Sequence, residues 1–351
     1  MNQFSLPIFM SVGENLIEKL SSEVKRCLNY SSSSKIALIT SAELLEIYSS
    51  VIENALLDLP EIEVVLVKKT SFDYAVELAK YISIKNIKIV IGFGGGAVLD
   101  TAKYASFVAK TSYIAVPTAL SNEGLSSPIA VLYTQNARKK SFGSKIPEGI
   151  IIDTTIISKA PKTLLQAGVG DTASNYTALF DWKLDCAKNG TTVNDFSYML
   201  SEMSFNALLN SPEKVLDSKE GITMVAKSLV ISGISMEIAG NSRPCSGSEH
   251  LFSHAIDELY DLGIPHGILV ALGSVAACVL QGRNKFILID YLNAYGISVN
   301  PMKLGITQEH FVEAWLFAKE TRKERFTILN TIDLSAALFN ELYEELSEVC
   351  K

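Results

Sequence analysis

The first 155 residues alternate short apolar segments with helical ones, and this alternation restricts the chain to few folds. Apolar, β-branched runs lie at 35–40, 62–67, 88–93 and 113–117. Helical patterns separate them at 42–57, 74–84 and 97–109. Continuous apolar strands joined by helices are typical of a parallel sheet covered on both faces. We expect the later apolar runs, 129–133 and 149–153, to complete that sheet.

The second half of the chain has a different pattern. After residue 161, long amphipathic segments follow one another, with glycine or proline near positions 190, 212, 240 and 263. Two-residue alternation is almost absent, which indicates helices. A length of 351 residues exceeds one typical core. The predicted fold class is therefore α/β, with a Rossmann-like parallel-sheet domain at 1–158 and an all-helical domain at 159–351.

Three consecutive glycines, Gly94, Gly95 and Gly96, follow the strand predicted at 88–93. At a strand-to-helix junction they leave backbone N–H groups bare and let a pyrophosphate approach the positive end of the next helix. The pattern is not GxGxxG, and a tight turn is the alternative. The polar loop 117–124 ends the next strand at the same edge. It could hold the nicotinamide end of a cofactor or be a solvated turn.

Three of the four histidines lie within seventeen residues. His250 and His254 are spaced i,i+4, so on a helix both rings project from one face. His266 follows a Gly-Ile-Pro loop that could bring it to the same point. Two imidazoles and one carboxylate with an open position suit a catalytic divalent metal such as zinc. Surface histidines are the alternative, and His310 is predicted to be an ordinary helix residue.

Charge and cysteine content limit the class of partner and the compartment. Lys and Arg total 31 against 38 for Asp and Glu, a net charge of −7 without a basic run. This balance argues against nucleic acid or an anionic membrane as partner. The sequence shows no apolar run long enough to span a bilayer. The cysteines are scattered without CxxC, as in a reduced cytoplasmic protein: Cys27, Cys186, Cys245, Cys278 and Cys350.

Several motifs together resemble the sn-glycerol-1-phosphate dehydrogenase family, within the larger group of iron-dependent alcohol dehydrogenases, glycerol dehydrogenases and dehydroquinate synthases. They span about residues 90–270 in the family's order, and the run Ser242–His254 is the most specific to this branch. The motifs are Gly94–Gly96 with Asp100 and Lys103, Pro117–Gly124 with Ser126–Pro128, Ala167–Asp171 with Ser174–Tyr176, Ser242–His254, and His266-Gly267.

The resemblance implies a site as well as a fold. Asp171, His250 and His266 match the family's metal ligands, with zinc, iron or nickel as the ion. Asp171 is expected at the start of the first helix of the second domain, where Gly170-Asp171 alone indicates a helix N-cap. His254 matches a histidine that faces the substrate and passes a proton to it. This assignment leaves the metal an open position.

The resemblance also implies the cofactor, the substrate and the assembly. We expect NAD or NADP and a small phosphorylated ketone, most directly dihydroxyacetone phosphate, which is reduced to sn-glycerol 1-phosphate by a homo-oligomer. Arg243 suits a phosphate dianion, or it forms a structural ion pair. The predicted cofactor contacts are Gly94, Gly95, Gly96, Asp100, Thr118, Ser121 and Ser127. The predicted substrate contacts are Glu123, Asp171, Arg243 and His254.

Two departures from the family pattern leave alternatives open. Glu123 stands where the family has aspartate, so a different polyol or polyol phosphate is an alternative substrate. Ser41 stands where relatives that prefer NAD carry an acid, so NADP should be tolerated. A dehydroquinate-synthase-like cyclase and a catalytically idle nucleotide-binding regulator are the other two alternatives.

Overall fold

The computed structural model describes residues 4–136, 138–212 and 214–349. Six parallel strands form one sheet in the order β1-β8-β5-β4-β2-β3, and two further strands pair with each other. The strands are β1 Phe9–Gly13, β2 Lys35–Thr40, β3 Ile62–Leu66, β4 Ile87–Gly94, β5 Ser112–Pro117, β6 Ile129–Tyr133, β7 Lys139–Gly143 and β8 Gly149–Asp153. The predicted parallel sheet is confirmed.

Helices cover both faces of this sheet because its central strands are apolar on both sides. In β2, Ile36 and Leu38 join one apolar cluster, which includes residues of α2. Ala37 and Ile39 join the other cluster, with residues of α3 and α4. The helices of this half are α1 Leu20–Val24, α2 Ala42–Leu56, α3 Phe72–Ile84, α4 Gly96–Ala109 and α5 Thr154–Ile157, with 3₁₀ turns at Leu16–Lys19 and Glu123–Leu125.

The composition of the sheet differs from the prediction at two strands. The run at 129–133 does not join the sheet: β6 pairs antiparallel with β7. Its burial alternates, with Ala130 and Leu132 buried and Val131 and Tyr133 exposed, which suits a ribbon covered on one face. The unpredicted strand β1 instead pairs with β8 and forms the edge of the sheet.

The second half is helical, as predicted. Helix α6 begins after Pro161 and ends at Asn189, and the φ of +68° at its C-cap, Gly190, favours glycine. Buried residues of these helices belong to the same apolar cluster as one face of the sheet, so the core is continuous between the two halves. The helices are α6 Lys162–Asn189, α7 Asp195–Leu209, α8 Lys219–Ala239, α9 Ser248–Leu259, α10 His266–Leu280, α11 Phe286–Ala294, α12 Gln308–Thr321 and α13 Ala336–Val349, with a 3₁₀ turn at Ile328–Asn330.

Helix α8 corrects one expectation about membranes. Its 21 residues, with a mean hydropathy of 1.5 in the most apolar window, are long and apolar enough to cross a bilayer, and 61% of that window is buried inside the fold. A core helix meets the same criterion, so the observation is weak evidence for a membrane span. The cysteines Cys27, Cys186, Cys245 and Cys278 are unpaired, while Cys350 lies outside the described residues.

Candidate active site

The glycine loop opens space at the carboxyl edge of the sheet. β4 ends at Gly94 and α4 begins at Gly96, with Gly95 as the N-cap. A Cβ on Gly95 would meet nothing within 4 Å, whereas a Cβ on Gly94 would lie 2.6 Å from the Cβ of Val98. Backbone N–H groups at this helix start can therefore be approached from the Gly95 side, as phosphate binding requires.

Asp100, predicted to contact the cofactor, is instead buried beneath the neighbouring loop. Its Oδ1 lies 3.1 Å from the Nζ of Lys103, and its Oδ2 accepts a hydrogen bond from the backbone N of Val131 at 3.1 Å. Lys103 in turn donates to the carbonyl oxygen of Gly124 at 2.6 Å. Burial raises the pKa of Asp100, and the charge of Lys103 opposes this shift. Because its oxygens have partners within the protein, this geometry favours support of the loop over a cofactor contact.

The polar loop after β5 lies against both the glycine loop and α6. The backbone N of Thr118 donates to the carbonyl oxygen of Gly94 at 3.0 Å. Ser127 is buried and its hydroxyl donates to the carbonyl oxygen of Ile129, while Ser121 is half-buried. The backbone N of Glu123 donates to the Oδ2 of Asp171 at 3.2 Å. The loop thus places Thr118, Ser121 and Glu123 between the carboxyl edge of the sheet and the helical half.

Asp171, His250 and His266 come together from three helices. Their ligand atoms lie within 4.8 Å of one another. The Oδ1 of Asp171 is 3.7 Å from the Nε2 of His250 and 3.8 Å from the Nε2 of His266. That oxygen is buried and accepts no hydrogen bond. A cation between the three atoms would satisfy it, so the donor set fits a divalent metal.

The position of Asp171 corrects the expectation of a helix start. The residue lies more than two turns inside α6, which begins at Lys162, so it is not an N-cap. Close contact of α6 with α10 brings it to His266. A Cβ on Gly267 would lie 1.9 Å from the carbonyl oxygen of Ala167, and a Cβ on Gly170 would lie 2.3 Å from that of Gly267. The two glycines allow the backbones of the helices to touch.

Burial shifts the pKa values of Asp171 and His266 in opposite directions. Burial, and then the charge of Glu123, raise the pKa of Asp171 well above its ordinary value. Burial, and then the neighbouring His250, lower the pKa of His266 to about 3. His266 is therefore neutral at physiological pH, which is the form that binds metals. The pKa of Asp171 is raised because its buried anionic form has no cation beside it among the described residues, and a bound metal ion would supply that positive charge.

His254 lies beside the two histidine ligands. Its ring centroid is 6.0 Å from that of His250 and 5.9 Å from that of His266. Burial, and then the charge of Arg322, hold the pKa of His254 well below its ordinary value. At neutral pH the residue is a neutral imidazole, which can accept a proton at one nitrogen and donate at the other.

Arg322 and Arg325, which the sequence analysis did not single out, follow the end of α12 and reach this region. Arg322 donates to the Oγ of Ser141 at 2.7 Å, and Arg325 donates to the Oγ of Ser242 at 2.8 Å. Within the described ranges, neither forms a salt bridge with a carboxylate. Burial, and then Arg322, lower the pKa of Arg325 to about 9. The basic Arg-x-x-Arg spacing was the sequence signal, but it lies 68 residues beyond His254.

Arg243 forms a structural ion pair, which is one of the two roles that the sequence left open for it. Its guanidinium lies 3.0 Å from the Oδ2 of Asp185 and donates to the carbonyl oxygen of Phe326 at 2.5 Å. Both side chains are largely buried. The prediction that Arg243 binds substrate phosphate therefore conflicts with this ion pair, whereas Arg322 and Arg325 have no carboxylate partner among the residues that the structure describes.

Comparison with known proteins agrees with the architecture. A family model described as iron-containing alcohol dehydrogenase matches residues 12–161. A probable glycerol dehydrogenase from Sinorhizobium meliloti has a TM-score of 0.79 at 18% identity, covering 99% of this chain and 98% of its own. Glycerol dehydrogenase from Schizosaccharomyces pombe has a TM-score of 0.80 at 18% identity, with coverages of 99% and 90%. At these identities the likeness shows the fold alone.

Relatives of higher identity show the family. Glycerol-1-phosphate dehydrogenase (NAD(P)+) of Pyrococcus horikoshii is 36% identical over 330 residues, 94% of each chain. The enzyme of the same name from Methanosphaerula palustris is 38% identical over 289 residues, 78% of this chain and 80% of its own. The motif order, the fold and this near-complete coverage agree, and the chain belongs to the glycerol-1-phosphate dehydrogenase family.

Proposed function

We propose that this chain is a metal-dependent, NAD(P)-linked dehydrogenase that interconverts dihydroxyacetone phosphate and sn-glycerol 1-phosphate. The names of its relatives support this reaction. The structural observation that carries the proposal is the position of Arg322 and Arg325 beside His254, which lies next to a metal-type ligand set. Neither guanidinium group has a carboxylate partner in the described part of the chain. Together they form a site for a substrate that has both a carbonyl group and a phosphate.

The cofactor would lie at the carboxyl edge of the sheet. NAD(P)H supplies the hydride in the reductive direction. The open face at Gly95 and the start of α4 would receive the pyrophosphate, with Gly94, Gly96, Thr118 and Ser121 around it. Asp100 and Ser127 would support the loop from below. Ser41 presents a hydroxyl after β2, so no carboxylate at that position repels a 2′-phosphate.

The metal would be held by Asp171, His250 and His266. One carboxylate and two imidazoles suit zinc, which we propose as the ion, while iron remains compatible with the same ligands. A divalent cation supplies electrostatic stabilisation of the negative charge that develops on the substrate oxygen. Because these three ligands come from three different helices packed in the core, their geometry is fixed before the substrate binds.

The protein's own groups would orient the substrate and move the proton. Arg322 and Arg325 bind the phosphate and so turn the carbonyl group toward the ligand set. The ring of His254, neutral at rest, passes a proton to the substrate oxygen in the reductive direction, directly or through a water that it holds. One ring nitrogen gives up its proton while the other takes one up from solvent, so the ring stays neutral. In the oxidative direction the neutral ring of His254 accepts that proton. Glu123, beside Asp171, is placed to contact a substrate hydroxyl.

Glu123 supports a second candidate. Its carboxylate is one methylene longer than the family aspartate, so it reaches further into the same space. A longer or differently hydroxylated polyol phosphate is therefore the alternative substrate. In either case the phosphate is the recognised group, which separates both candidates from a dehydrogenase acting on glycerol.

The test compares phosphorylated and unphosphorylated ketones. Arg322→Ala and Arg325→Ala should each lower kcat/KM for dihydroxyacetone phosphate by about 10–100-fold, since a hydrogen bond to a charged group contributes roughly 1.5–3 kcal/mol. Activity with dihydroxyacetone should change little. Lys323→Ala is the matched control, because this lysine of the same segment is largely exposed. Equal losses with both ketones would argue against phosphate binding by the arginine pair.

Three further properties belong to this proposal. We place the division between the sheet and helical domains at residues 158 and 159, between α5 and α6. A homo-oligomer is supported by the exposed apolar residues Phe196, Met199 and Met203 along α7. A cytoplasmic location is supported by the unpaired cysteines of the described chain.

A further inference from the structure

Glu249 is a buried carboxylate to which the proposed mechanism gives no role. It lies in the first turn of α9, next to His250, and its side chain has no exposed surface. Over the residues that the structure describes, it forms no salt bridge with a lysine or arginine. Burying an anion without such a partner is costly unless several hydrogen bonds hold it. Its surroundings therefore need an explanation.

The side-chain hydrogen bonds of Glu249 hold its carboxylate against His250. Its Oε1 accepts from the backbone N of Gly247 and lies 3.0 Å from the Nδ1 of His250. Its Oε2 accepts from the Oγ1 of Thr177 at 2.8 Å. Thr177 belongs to α6, the helix that carries Asp171. The carboxylate is thus held from α6 and α9, two of the three helices that supply the ligand set.

The contact at Nδ1 decides which form of the imidazole is present. The opposite nitrogen, Nε2, is the atom that faces Asp171. A ring nitrogen binds a metal through its lone pair, so the proton of a neutral imidazole must then be on Nδ1. A carboxylate can only accept a hydrogen bond, and Glu249 therefore selects the Nδ1–H form and fixes the plane of the ring.

The second histidine of the set has a different neighbour. The Nδ1 of His266 lies 3.0 Å from the Oγ of Ser253. A hydroxyl donates or accepts with equal ease, so it does not select one form of the ring. It also brings no charge, whereas Glu249 and Asp171 together bring two negative charges to a site suited to a divalent cation. The two histidines are therefore supported unequally.

We propose that Glu249 is a positioning residue for the metal, which acts through His250 by fixing its protonated nitrogen and by adding the second negative charge. This inference rests on the metal site of the proposed function. Under this inference, His250, which a carboxylate holds, is the ligand that anchors the ion. His266 is held only by a hydroxyl and contributes less.

The experiment measures the affinity of the purified, metal-stripped protein for Zn²⁺ by competition with a chelating dye. Glu249→Gln keeps the size of the side chain and an oxygen for His250 but removes the charge. It should weaken Zn²⁺ binding by about 10–100-fold, the usual effect of losing such a partner. Ser253→Ala, the matched change behind His266, should weaken it less. The visible spectrum of the Co²⁺-loaded protein should shift in Glu249→Gln, while NADH binding stays unchanged.

Wild-type Zn²⁺ affinity and an unchanged Co²⁺ spectrum in folded Glu249→Gln would overturn the inference. Should that variant not fold, Thr177→Val decides, because it removes the hydrogen bond to Oε2 and otherwise only the longer contact of the same hydroxyl with the carbonyl oxygen of Ser174. About fivefold weaker Zn²⁺ binding supports the inference and unchanged binding opposes it. His250→Ala separates the two proposals. If it keeps full Zn²⁺ affinity, the metal site itself is wrong; if it loses Zn²⁺ while Glu249→Gln does not, only the role of Glu249 is wrong.

Discussion

Replacement of Gly267 by alanine tests whether the close contact of α6 and α10 positions the metal ligands. The added Cβ would lie 1.9 Å from the carbonyl oxygen of Ala167, where ordinary contacts begin at 3.4 Å. Because the obstacle is backbone, the two helices must separate locally by about 1 Å or more to relieve the overlap. Gly267 immediately follows His266, so the separation moves that ligand relative to Asp171.

Two opposing contributions set the size of the effect on stability. Alanine favours a helix over glycine by up to about 1 kcal/mol, while overpacking costs typically about 1–3 kcal/mol and occasionally more. We therefore expect a net loss of about 1–2 kcal/mol. The effect on metal binding should be larger, since ligand distances tolerate only about 0.2 Å. Zn²⁺ affinity should fall by more than the roughly 10–100-fold that loss of an outer hydrogen bond causes.

The assay combines urea denaturation with Zn²⁺ competition on Gly267→Ala and on a control. Gly143→Ala is the control, because a Cβ at that position of β7 would meet nothing within 4 Å. It should match the wild type in both measurements. If Gly267→Ala also binds Zn²⁺ normally and unfolds at the same urea concentration, the helix contact does not position the ligands and the reasoning is refuted.

Three further predictions concern the cofactor and the proton. The side chain of Ser41 caps α2 by accepting a hydrogen bond from the backbone N of Leu44, and aspartate caps a helix equally well. Ser41→Asp should therefore keep the stability of the fold. Because it adds a carboxylate, it should lower kcat/KM for NADPH relative to NADH by about tenfold or more. The wild type should use both within about tenfold, and a thousandfold rejection of NADPH would assign the choice to another residue. Gly95→Ala should leave thermal stability nearly unchanged while raising KM for NADH, since its Cβ enters only open space; an unchanged KM would move the pyrophosphate elsewhere. His254→Asn should retain Zn²⁺ and lower kcat by about 10²–10⁴; loss of Zn²⁺ equal to that in His250→Ala would make it a fourth ligand.

Local pattern was sufficient to predict much of this protein. Strand β2 was predicted to the residue, and the glycine loop was placed correctly at the end of β4. Both are encoded locally, by a continuous apolar run and by glycine at a strand-to-helix junction. His250 and His254 are spaced to share a helix face, and with His266 beyond the next loop they indicate a metal site, with surface histidines as the alternative. The resemblance to a family added the carboxylate, Asp171, that spacing alone did not supply.

Which distant groups meet depends on how the elements pack. The run 129–133 reads as one more apolar strand, but its one-sided burial against α4 and β7 places it outside the sheet. Arg243 and Arg325 are equally basic in the sequence. The first is neutralised by Asp185, and the second has no carboxylate partner in the described chain. Strand and helix periodicity depends on residues that are neighbours along the chain, so most elements can be predicted from the sequence. The pairing of a buried charge depends on residues far away along the chain, so the charges of the site follow from the packing.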